Sequence, residues 1–215
     1  MTIDLYHGSN KIIKNPTPDG GRIHNDYGQG FYCTRHIELA KEWAVSEDHD
    51  GYVNHYELNL NGLKILNLNN GSYSILHWIT LLLQNRVFDR PTTVAQNGFD
   101  YLTKKYSINT NDYDVIVGYR ADDSYYSFAR AFLSNTISIE QLEKSMHLGE
   151  LGEQYFIKSK KAFSQLSYGD CSCVLQEDYY PKKLTRNENA RKEYLSLLAD
   201  ITTGTYLIDL IRKEH

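Results

Sequence analysis

The sequence has few cysteines and no long hydrophobic run, and each shortage excludes a class of protein. Its three cysteines, Cys33, Cys171 and Cys173, are an odd number at spacings that do not suggest a disulfide framework. We therefore expect reduced thiols in a cytoplasmic protein. The most apolar stretch, residues 75–83, is far too short to span a bilayer, and the N-terminus shows no signal peptide. No membrane partner is predicted.

Concentrated positive charge is also missing. The chain has 23 Lys and Arg against 27 Asp and Glu, a net charge of −4, and no block of basic residues. Broad electrostatic binding to nucleic acid is therefore not indicated, although these numbers still allow a local basic patch. The histidines show no metal-binding spacing, and the single Cys-x-Cys pair is a weak signal, so we expect no metal.

Tyrosine is abundant, with 18 residues against 7 Phe and 2 Trp. A tyrosine ring can be buried while its hydroxyl stays in contact with water, so a tyrosine-rich chain can line polar pockets with aromatic surface. The alternative is a core that simply uses Tyr in place of Phe. Composition alone does not separate these two uses.

The order of the predicted elements indicates an α+β fold, because strands dominate the two ends of the first 170 residues and helices lie between them. Strands are predicted over residues 2–7, 31–33, 52–60, 63–68, 114–118 and 154–158. Helices are predicted over residues 37–44 with Thr34 as N-cap, 75–84, 92–106, 124–133, 138–142, 159–166 and 187–211. We expect one domain over residues 1–180, with a C-terminal helical segment, residues 181–215, packed on it.

Two glycine-flanked segments near the N-terminus carry the candidate site: Tyr6-His7-Gly8-Ser9 and Gly28-Gln29-Gly30-Phe31-Tyr32. A glycine lets a ligand approach the backbone closely, and a free backbone N–H and C=O suit a carboxamide. The ring of Tyr32 suits stacking on a flat ligand, and Trp43 adds a second aromatic wall. Taken singly, the histidine reads equally as a structural residue, the tyrosine as core and the glycines as a turn.

In this order the segments resemble the ADP-ribosyltransferase superfamily, in the branch related to diphtheria toxin and poly(ADP-ribose) polymerases and to small bacterial proteins of that branch. The first family motif matches His7-Gly8, and the second matches Gly30-Phe31-Tyr32 followed by Thr34 and a helix. The resemblance implies a split antiparallel β-sheet core with surrounding helices. It also implies that His7 holds the adenosine-side ribose of NAD+, Gly8 the nicotinamide amide, and Tyr32 the nicotinamide ring. The NAD+-binding set that follows is His7, Gly8, Ser9, Gly30, Tyr32, Thr34, Ala40 and Trp43.

The third family motif is a residue on a later strand, often Glu. The match is Gln154, with Glu153 as the alternative because the register of one strand is uncertain by one residue. His7, Tyr32 and Gln154 are therefore the predicted catalytic residues. A carboxylate would stabilise the oxocarbenium-like centre that forms when the nicotinamide–ribose bond breaks, whereas Gln holds the ribose hydroxyl without charge. Glu153, Asp123 or the substrate would supply any base.

A further patch follows the apolar run at residues 114–118. Arg120 is suited to contact a phosphate or to pair with Asp122 and Asp123, and those aspartates border the pocket or cap the next helix.

The resemblance implies a bacterial NAD+-dependent mono-ADP-ribosyltransferase, a glycosyltransferase that uses NAD+ as co-substrate in a toxin–antitoxin or phage-defence system. Its acceptor would be a protein or a nucleic acid, and an antitoxin protein would bind the C-terminal helical segment. Because Gln154 is uncharged, two alternatives remain open: an NAD+ glycohydrolase, and a non-catalytic module that binds NAD+ or ADP-ribose. An RNA 2′-phosphotransferase shares the superfamily fold but needs a basic phosphate-binding cluster, for which the acidic composition offers little support. A purely structural or interaction protein is the last alternative.

Overall fold

The structure is a computed structural model that describes residues 1–121, 123–148, 152–199 and 204–213. The strands within these residues are β1 Thr2–Ser9, β2 Phe31–Cys33, β3 Gly51–Asn59, β4 Ile65–Asn67, β5 Val115–Tyr119, β6 Glu153–Ile157 and β7 Leu166–Val174. The helices are α1 Ile37–Ala44, α2 Ile75–Asn85, α3 Thr93–Tyr106, α4 Asp123–Leu133, α5 Ile139–Ser145, α6 Lys160–Ser164, α7 Gln176–Ala199 and α8 Leu207–Arg212. The predicted α+β class is confirmed.

The strands form two sheets, one ordered β1-β3-β7 and the other β2-β6-β5-β4. Every neighbouring pair is antiparallel except β4 with β5, which is parallel. The sheets meet where β1 and β2 touch: the Tyr6 N–H donates to the Thr34 carbonyl over 2.7 Å, and the Thr34 N–H donates back over 2.9 Å. This contact brings the ends of β1 and β2, which carry the two glycine-flanked segments, to one place.

Three groups of buried side chains hold these layers together. The largest lies between the second sheet and the helices and includes Trp78, Phe128, Phe132 and Phe156, each no more than 2% exposed. A second contains side chains from both sheets, such as Leu5 and Ile157. A third packs α1 onto the first sheet through small residues. Burying each large apolar side chain contributes about 1.5–3 kcal/mol, so the helical layer fixes the second sheet firmly.

Several sequence-based boundaries differ from the structure. Thr34 does not cap α1, because this helix begins at Ile37 with His36 as its N-cap. Thr34 is buried instead, since its backbone joins the two sheets. Its hydroxyl accepts a hydrogen bond from the His36 N–H over 3.2 Å. The strand predicted over 63–68 shortens to β4. Strand β7 was not predicted, because it is an edge strand with mostly exposed side chains and so has no regular apolar alternation. The predicted C-terminal helix or helix pair is two helices, and α7 starts before Pro181 and contains it.

Helix α7 is attached to α1 by a nearly buried ion pair. The Glu42 side chain, only 6% exposed, accepts from Nε of Arg186 over 2.8 Å and from its Nη2 over 2.5 Å. Tyr179 donates to Glu38 over 3.0 Å, and Lys183 donates to the Val45 carbonyl over 3.0 Å. These contacts fix one face of α7 against the end of β1 and α1.

We expect Arg186→Gln to lower the free energy of unfolding by about 2 kcal/mol, because Glu42 loses its ion-pair partner in a site shielded from water. The loss is below the range for a fully buried pair since Arg186 is partly exposed. Thermal denaturation followed by circular dichroism measures the loss. The double variant Glu42→Gln/Arg186→Gln removes both charges and should regain most of it. A single variant that melts like the wild type would show that the pair does not hold α7.

Candidate functional site

A cleft of about 820 Å³ opens where the two sheets meet and is bordered by α7. It brings together six of the residues predicted from the sequence, namely His7, Gly8, Ser9, Tyr32, Trp43 and Gln154. Gly30, Thr34 and Ala40, the other three predicted site residues, do not line it. Gly30 and Ala40 instead lie at close contacts between segments, and the backbone of Thr34 joins the two sheets.

The imidazole of His7 is fixed in one orientation at the end of β1. Its Nδ1 lies 2.6 Å from the carbonyl oxygen of Tyr32, and its ring packs on Phe31 at 4.4 Å. A carbonyl only accepts, so Nδ1 carries the proton and donates, which leaves Nε2 as an acceptor. Burial lowers the pKa of His7 below 6.5; the bond to Tyr32 opposes this shift, and the charge of Arg120 adds to it. The ring is therefore neutral at pH 7.

Gly8 permits a contact between β1 and α1 that no other residue allows. A Cβ at this position would lie 1.9 Å from the Ala40 carbonyl oxygen and 2.7 Å from the Ala44 nitrogen. The small residue predicted at position 40 therefore belongs to this close approach of strand and helix. Next to Gly8, the Ser9 hydroxyl donates to the Lys11 carbonyl over 2.5 Å, and buried Asn54 donates to the carbonyls of His7 and Lys11. The chain after β1 is thus held in a defined turn.

The side chain of Tyr32 forms hydrogen bonds with the backbone of the loop that precedes it. Its hydroxyl donates to the Gly28 carbonyl over 2.6 Å and accepts from the Tyr27 N–H over 3.0 Å. Gly28 has a φ of +97°, a conformation that favours glycine. At Gly30 a Cβ would lie 2.4 Å from the Phe156 ring. Desolvation raises the pKa of the Tyr32 hydroxyl, so it stays protonated, and its ring stands half-buried in the cleft.

Trp43 lines the cleft, but one face of its indole is already covered. The Arg120 guanidinium lies 3.8 Å from the ring centroid in a cation–π contact. Arg120 therefore lines the cleft beside Trp43, as the sequence suggested for a phosphate-contacting residue. Asp122 lies outside the described residues, and only the backbone of Asp123 is described, at the start of α4.

Gln154 lies at the floor of the cleft and is only 3% exposed. Its amide nitrogen donates to Oδ2 of Asp26 over 2.8 Å and to the Tyr119 carbonyl over 3.1 Å. Because these two acceptors engage the amide hydrogens, the amide orientation is fixed, and Oε1 is the atom through which Gln154 accepts hydrogen bonds. Asp26 also accepts from the Ala121 N–H over 2.9 Å and forms a 2.7 Å ion pair with Arg86.

Asp26 is a buried acidic residue of this site, and no sequence pattern singled it out. It is 2% exposed, and burial raises the pKa of its carboxyl. The charge of Arg86 opposes that shift most strongly. The hydrogen bonds from Ala121 and Gln154 and the charge of Arg120 oppose it as well. In the sequence Asp26 stands two residues before Gly28, and an aspartate close to a glycine is common in loops. That local pattern does not indicate a buried carboxylate.

Glu153 faces away from the cleft, as the alternation of side chains along β6 requires. Its carboxylate accepts from the Asn69 amide over 3.0 Å, and it lines a second cavity of about 700 Å³ together with His36, Tyr119 and His147. Of the two residues left open for the third motif, Gln154 shares the cleft with His7 and Tyr32, and Glu153 does not.

Within the described ranges, no group of three or more His, Cys, Asp or Glu side chains is arranged to hold a metal ion. The same ranges contain no helix with both the length and the apolar character that crossing a membrane requires. Cys33 is buried, Cys173 is exposed, and all three cysteines are free.

Comparison with known proteins gives a family without a known activity. The chain belongs to the family described as "Protein of unknown function (DUF3990)", whose model matches residues 3–168. Searches among curated proteins and among solved structures found no significant match. The matched residues include every strand that forms the cleft, whereas α7 lies beyond them.

Proposed function

We propose that this DUF3990 family member is an NAD+-dependent mono-ADP-ribosyltransferase. The observation that carries the proposal is the convergence of His7, Tyr32 and Gln154 on one cleft from three strands, β1, β2 and β6. These are the residues that the resemblance to ADP-ribosyltransferases assigns to the two halves of NAD+. The two mostly antiparallel sheets, joined by the bridge between Tyr6 of β1 and Thr34 directly after β2, are compatible with the split sheet of that superfamily.

The orientation of His7 suits it to bind a ribose. With Nδ1 donating to Tyr32, Nε2 accepts from a hydroxyl of the adenosine-side ribose. The nicotinamide ring would stack on Tyr32, and its carboxamide would pair with the backbone N–H and C=O of Gly8, which lines the cleft. The dinucleotide would then lie along the junction of the two sheets.

In the reaction, the bond between the nicotinamide nitrogen and C1′ of the ribose breaks, and its electron pair leaves with neutral nicotinamide. A nucleophile of the acceptor forms a bond to C1′ and loses a proton to a base. Oε1 of Gln154 would accept from the ribose 2′-hydroxyl and hold the sugar during this exchange. Asp26, whose own partner is Arg86, would act by holding the Gln154 amide in this orientation.

The test uses NAD+ labelled on the adenylate and follows both nicotinamide release and transfer of label to the macromolecules of a bacterial lysate. We expect both signals, and we expect both to disappear with His7→Ala. Nicotinamide release without transfer would favour the NAD+ glycohydrolase. NAD+ binding without release would favour a non-catalytic module. If the protein neither binds nor cleaves NAD+, the proposal is wrong.

A second candidate, RNA 2′-phosphotransferase, gains support from the arginines in the cleft, among them Arg22, Arg86 and Arg120. The composition of the whole chain gave no sign of such a cluster. This activity also uses NAD+ but removes a 2′-phosphate from RNA. An oligoribonucleotide with one internal 2′-phosphate separates the two candidates, because only the phosphotransferase yields a free 2′-hydroxyl.

The expected setting remains that of a bacterial toxin–antitoxin or phage-defence effector in the cytoplasm. The exposed face of α7 would then be the surface for an antitoxin protein. Co-expression rescue of growth by a neighbouring gene product would test this setting directly.

NAD+ binding should be constant near neutral pH and weaken on acidification, because protonation of Nε2 removes the acceptor for the ribose. His7 has a lowered pKa, so its contribution to stability and binding is complete above 6.5 and is lost as the pH falls through the lower folded-state value. Calorimetric titration with NAD+ from pH 8 to about pH 5 measures this, with a loss of about tenfold expected at the acid end. The His7→Gln variant should bind more weakly and lack the acid-side loss. An identical acid loss in that variant would contradict the role of His7.

A further inference from the structure

Positive charge is concentrated in the cleft although the chain as a whole is acidic. Six cationic side chains line it, Arg22, Arg86, Arg120, Lys183, Arg186 and Arg191, against two carboxylates, Asp26 and Glu42. The formal charge is six minus two, or +4, whereas the whole chain carries −4. Such a local surplus focuses the electrostatic potential and attracts an anionic ligand.

The two carboxylates are already compensated by their own arginines. Asp26 pairs with Arg86 at 2.7 Å and Glu42 pairs with Arg186 at 2.5 Å. The side chains of these two arginines are only 21% and 23% exposed. Their positions are therefore set by the fold, and they form the inner wall of the cleft.

Arg22 and Arg191 form an outer pair of a different kind. Both are exposed, and in the part of the chain that the structure describes neither makes a hydrogen bond or an ion pair. They come from distant segments, the loop before β2 and helix α7, and reach the same cleft. Lys183 lines it from the same helix, one side of which is anchored to α1.

The pyrophosphate of NAD+ is partly balanced by the positive nicotinamide ring, so the dinucleotide alone does not account for this many cations. The surplus fits a second ligand that carries several phosphates. Because the cations lie inside a cleft rather than on a flat or convex surface, a single strand fits them better than a duplex. Single-stranded nucleic acids bind to positively charged grooves that contain aromatic side chains, and Trp43, with the Arg120 guanidinium over one face of its ring, lines this one.

We infer that the acceptor of the proposed transfer is a single-stranded nucleic acid whose phosphates lie between Arg22 of the loop and Arg191 of α7. The transfer of ADP-ribose to this nucleic acid rests on the proposed function, whereas the binding of the nucleic acid in the cleft does not. It gives α7, which lies outside the family match, a role as a wall of the acceptor site.

The first experiment measures binding without NAD+. Fluorescence anisotropy compares a labelled single-stranded oligodeoxynucleotide and an oligoribonucleotide of the same sequence, at low and at physiological salt. The Arg22→Gln/Arg191→Gln variant should bind about 10-fold more weakly at physiological salt and show a shallower salt dependence, by about 0.7 in slope for each lost phosphate contact. The DNA and RNA arms show which of the two nucleic acids is preferred.

The matched control is Lys104→Gln/Lys160→Gln, which removes the same charge from exposed positions on α3 and α6. It should change the affinity by no more than about twofold, because long-range effects of exposed charges are screened. Equal losses in the two variants, or no binding of either oligonucleotide, would overturn the inference.

The second experiment adds NAD+ labelled on the adenylate and asks where the label goes. Label on the oligonucleotide, reduced in Arg22→Gln/Arg191→Gln while nicotinamide release without acceptor is unchanged, supports the inference. Label on lysate proteins alone overturns it and leaves the proposed function intact. Oligonucleotide binding without any nicotinamide release supports the binding site and shows instead that the proposed function is wrong.

Discussion

Gln154→Glu should lower the free energy of unfolding by about 3–5 kcal/mol at pH 7, the range for a buried charge left without compensation. The substitution gives the chain the residue most often found at the third motif of ADP-ribosyltransferases, yet here it sets a second carboxylate against Asp26. The amide that now donates to Asp26 over 2.8 Å and to the Tyr119 carbonyl is lost. Two carboxylates in a site this buried do not both ionise freely.

The loss should depend on pH in a defined direction. A carboxyl whose pKa is raised in the folded state contributes stability that is complete below its unfolded value and is lost as pH rises through the folded value. Burial already raises the pKa of Asp26, and a second carboxylate beside it raises the pKa values of both carboxyls further. The difference between Gln154→Glu and the wild type should therefore be largest at neutral pH and shrink toward pH 4. Thermal melts across this pH range measure it.

The control moves the charge instead of adding one. In Asp26→Asn/Gln154→Glu the site again holds one carboxylate and one amide, so the repulsion between two carboxylates is removed. The exchange does not restore every hydrogen bond, because Oδ2 of Asp26 also accepts from the Ala121 N–H and the Gln154 amide also donates to the Tyr119 carbonyl. We therefore expect this double variant to be more stable than Gln154→Glu at pH 7 but less stable than the wild type. A Gln154→Glu protein that is as stable as the wild type at neutral pH would show that Asp26 and residue 154 are not coupled.

Tyr32→Ala should reduce kcat/KM for nicotinamide release by about 100-fold. Stacking of a flat ring on an aromatic side chain contributes about 1–3 kcal/mol, and each tenfold in rate corresponds to about 1.4 kcal/mol. The substitution also removes the hydrogen bonds to Gly28 and from Tyr27 that hold the glycine-rich loop. Steady-state kinetics of nicotinamide release, with calorimetric titration of NAD+, measures both losses.

Tyr32→Phe separates the ring from the hydroxyl. It keeps the stacking surface and its packing on Phe156 at 4.8 Å, and loses the bond to Gly28. We expect a loss of about tenfold or less, in line with one hydrogen bond. If Phe and Ala at this position are equally impaired, the hydroxyl and the loop it holds matter more than stacking.

The sequence was informative where chemistry requires a local pattern. At Gly8 a strand packs so closely on a helix, and at Gly30 on an aromatic ring, that no Cβ would fit. Only glycine meets this requirement, so the sequence shows it directly. The alternation along β6 places Gln154 and Glu153 on opposite faces, whereas the sequence left the choice between them open because its register is uncertain by one residue.

Other features depend on contacts between segments that the sequence does not bring together. Asp26 meets Gln154 across 128 positions of the chain, and no local signal marks that pairing. The same holds for the basic cleft, whose arginines come from separate segments of an acidic chain. Strand β7 was missed because the pairing with β3, and not its own apolar pattern, makes it a strand.

The central claim is that NAD+ binds along the junction of the two sheets, and a crystal structure with a non-cleavable NAD+ analogue tests it most directly. We predict the nicotinamide ring on Tyr32, its carboxamide at the backbone of Gly8, and the two riboses within hydrogen-bond distance of Oε1 of Gln154 and Nε2 of His7. An analogue bound in the second cavity, beside Glu153 and His147, or bound with its nicotinamide away from Tyr32, would contradict this account.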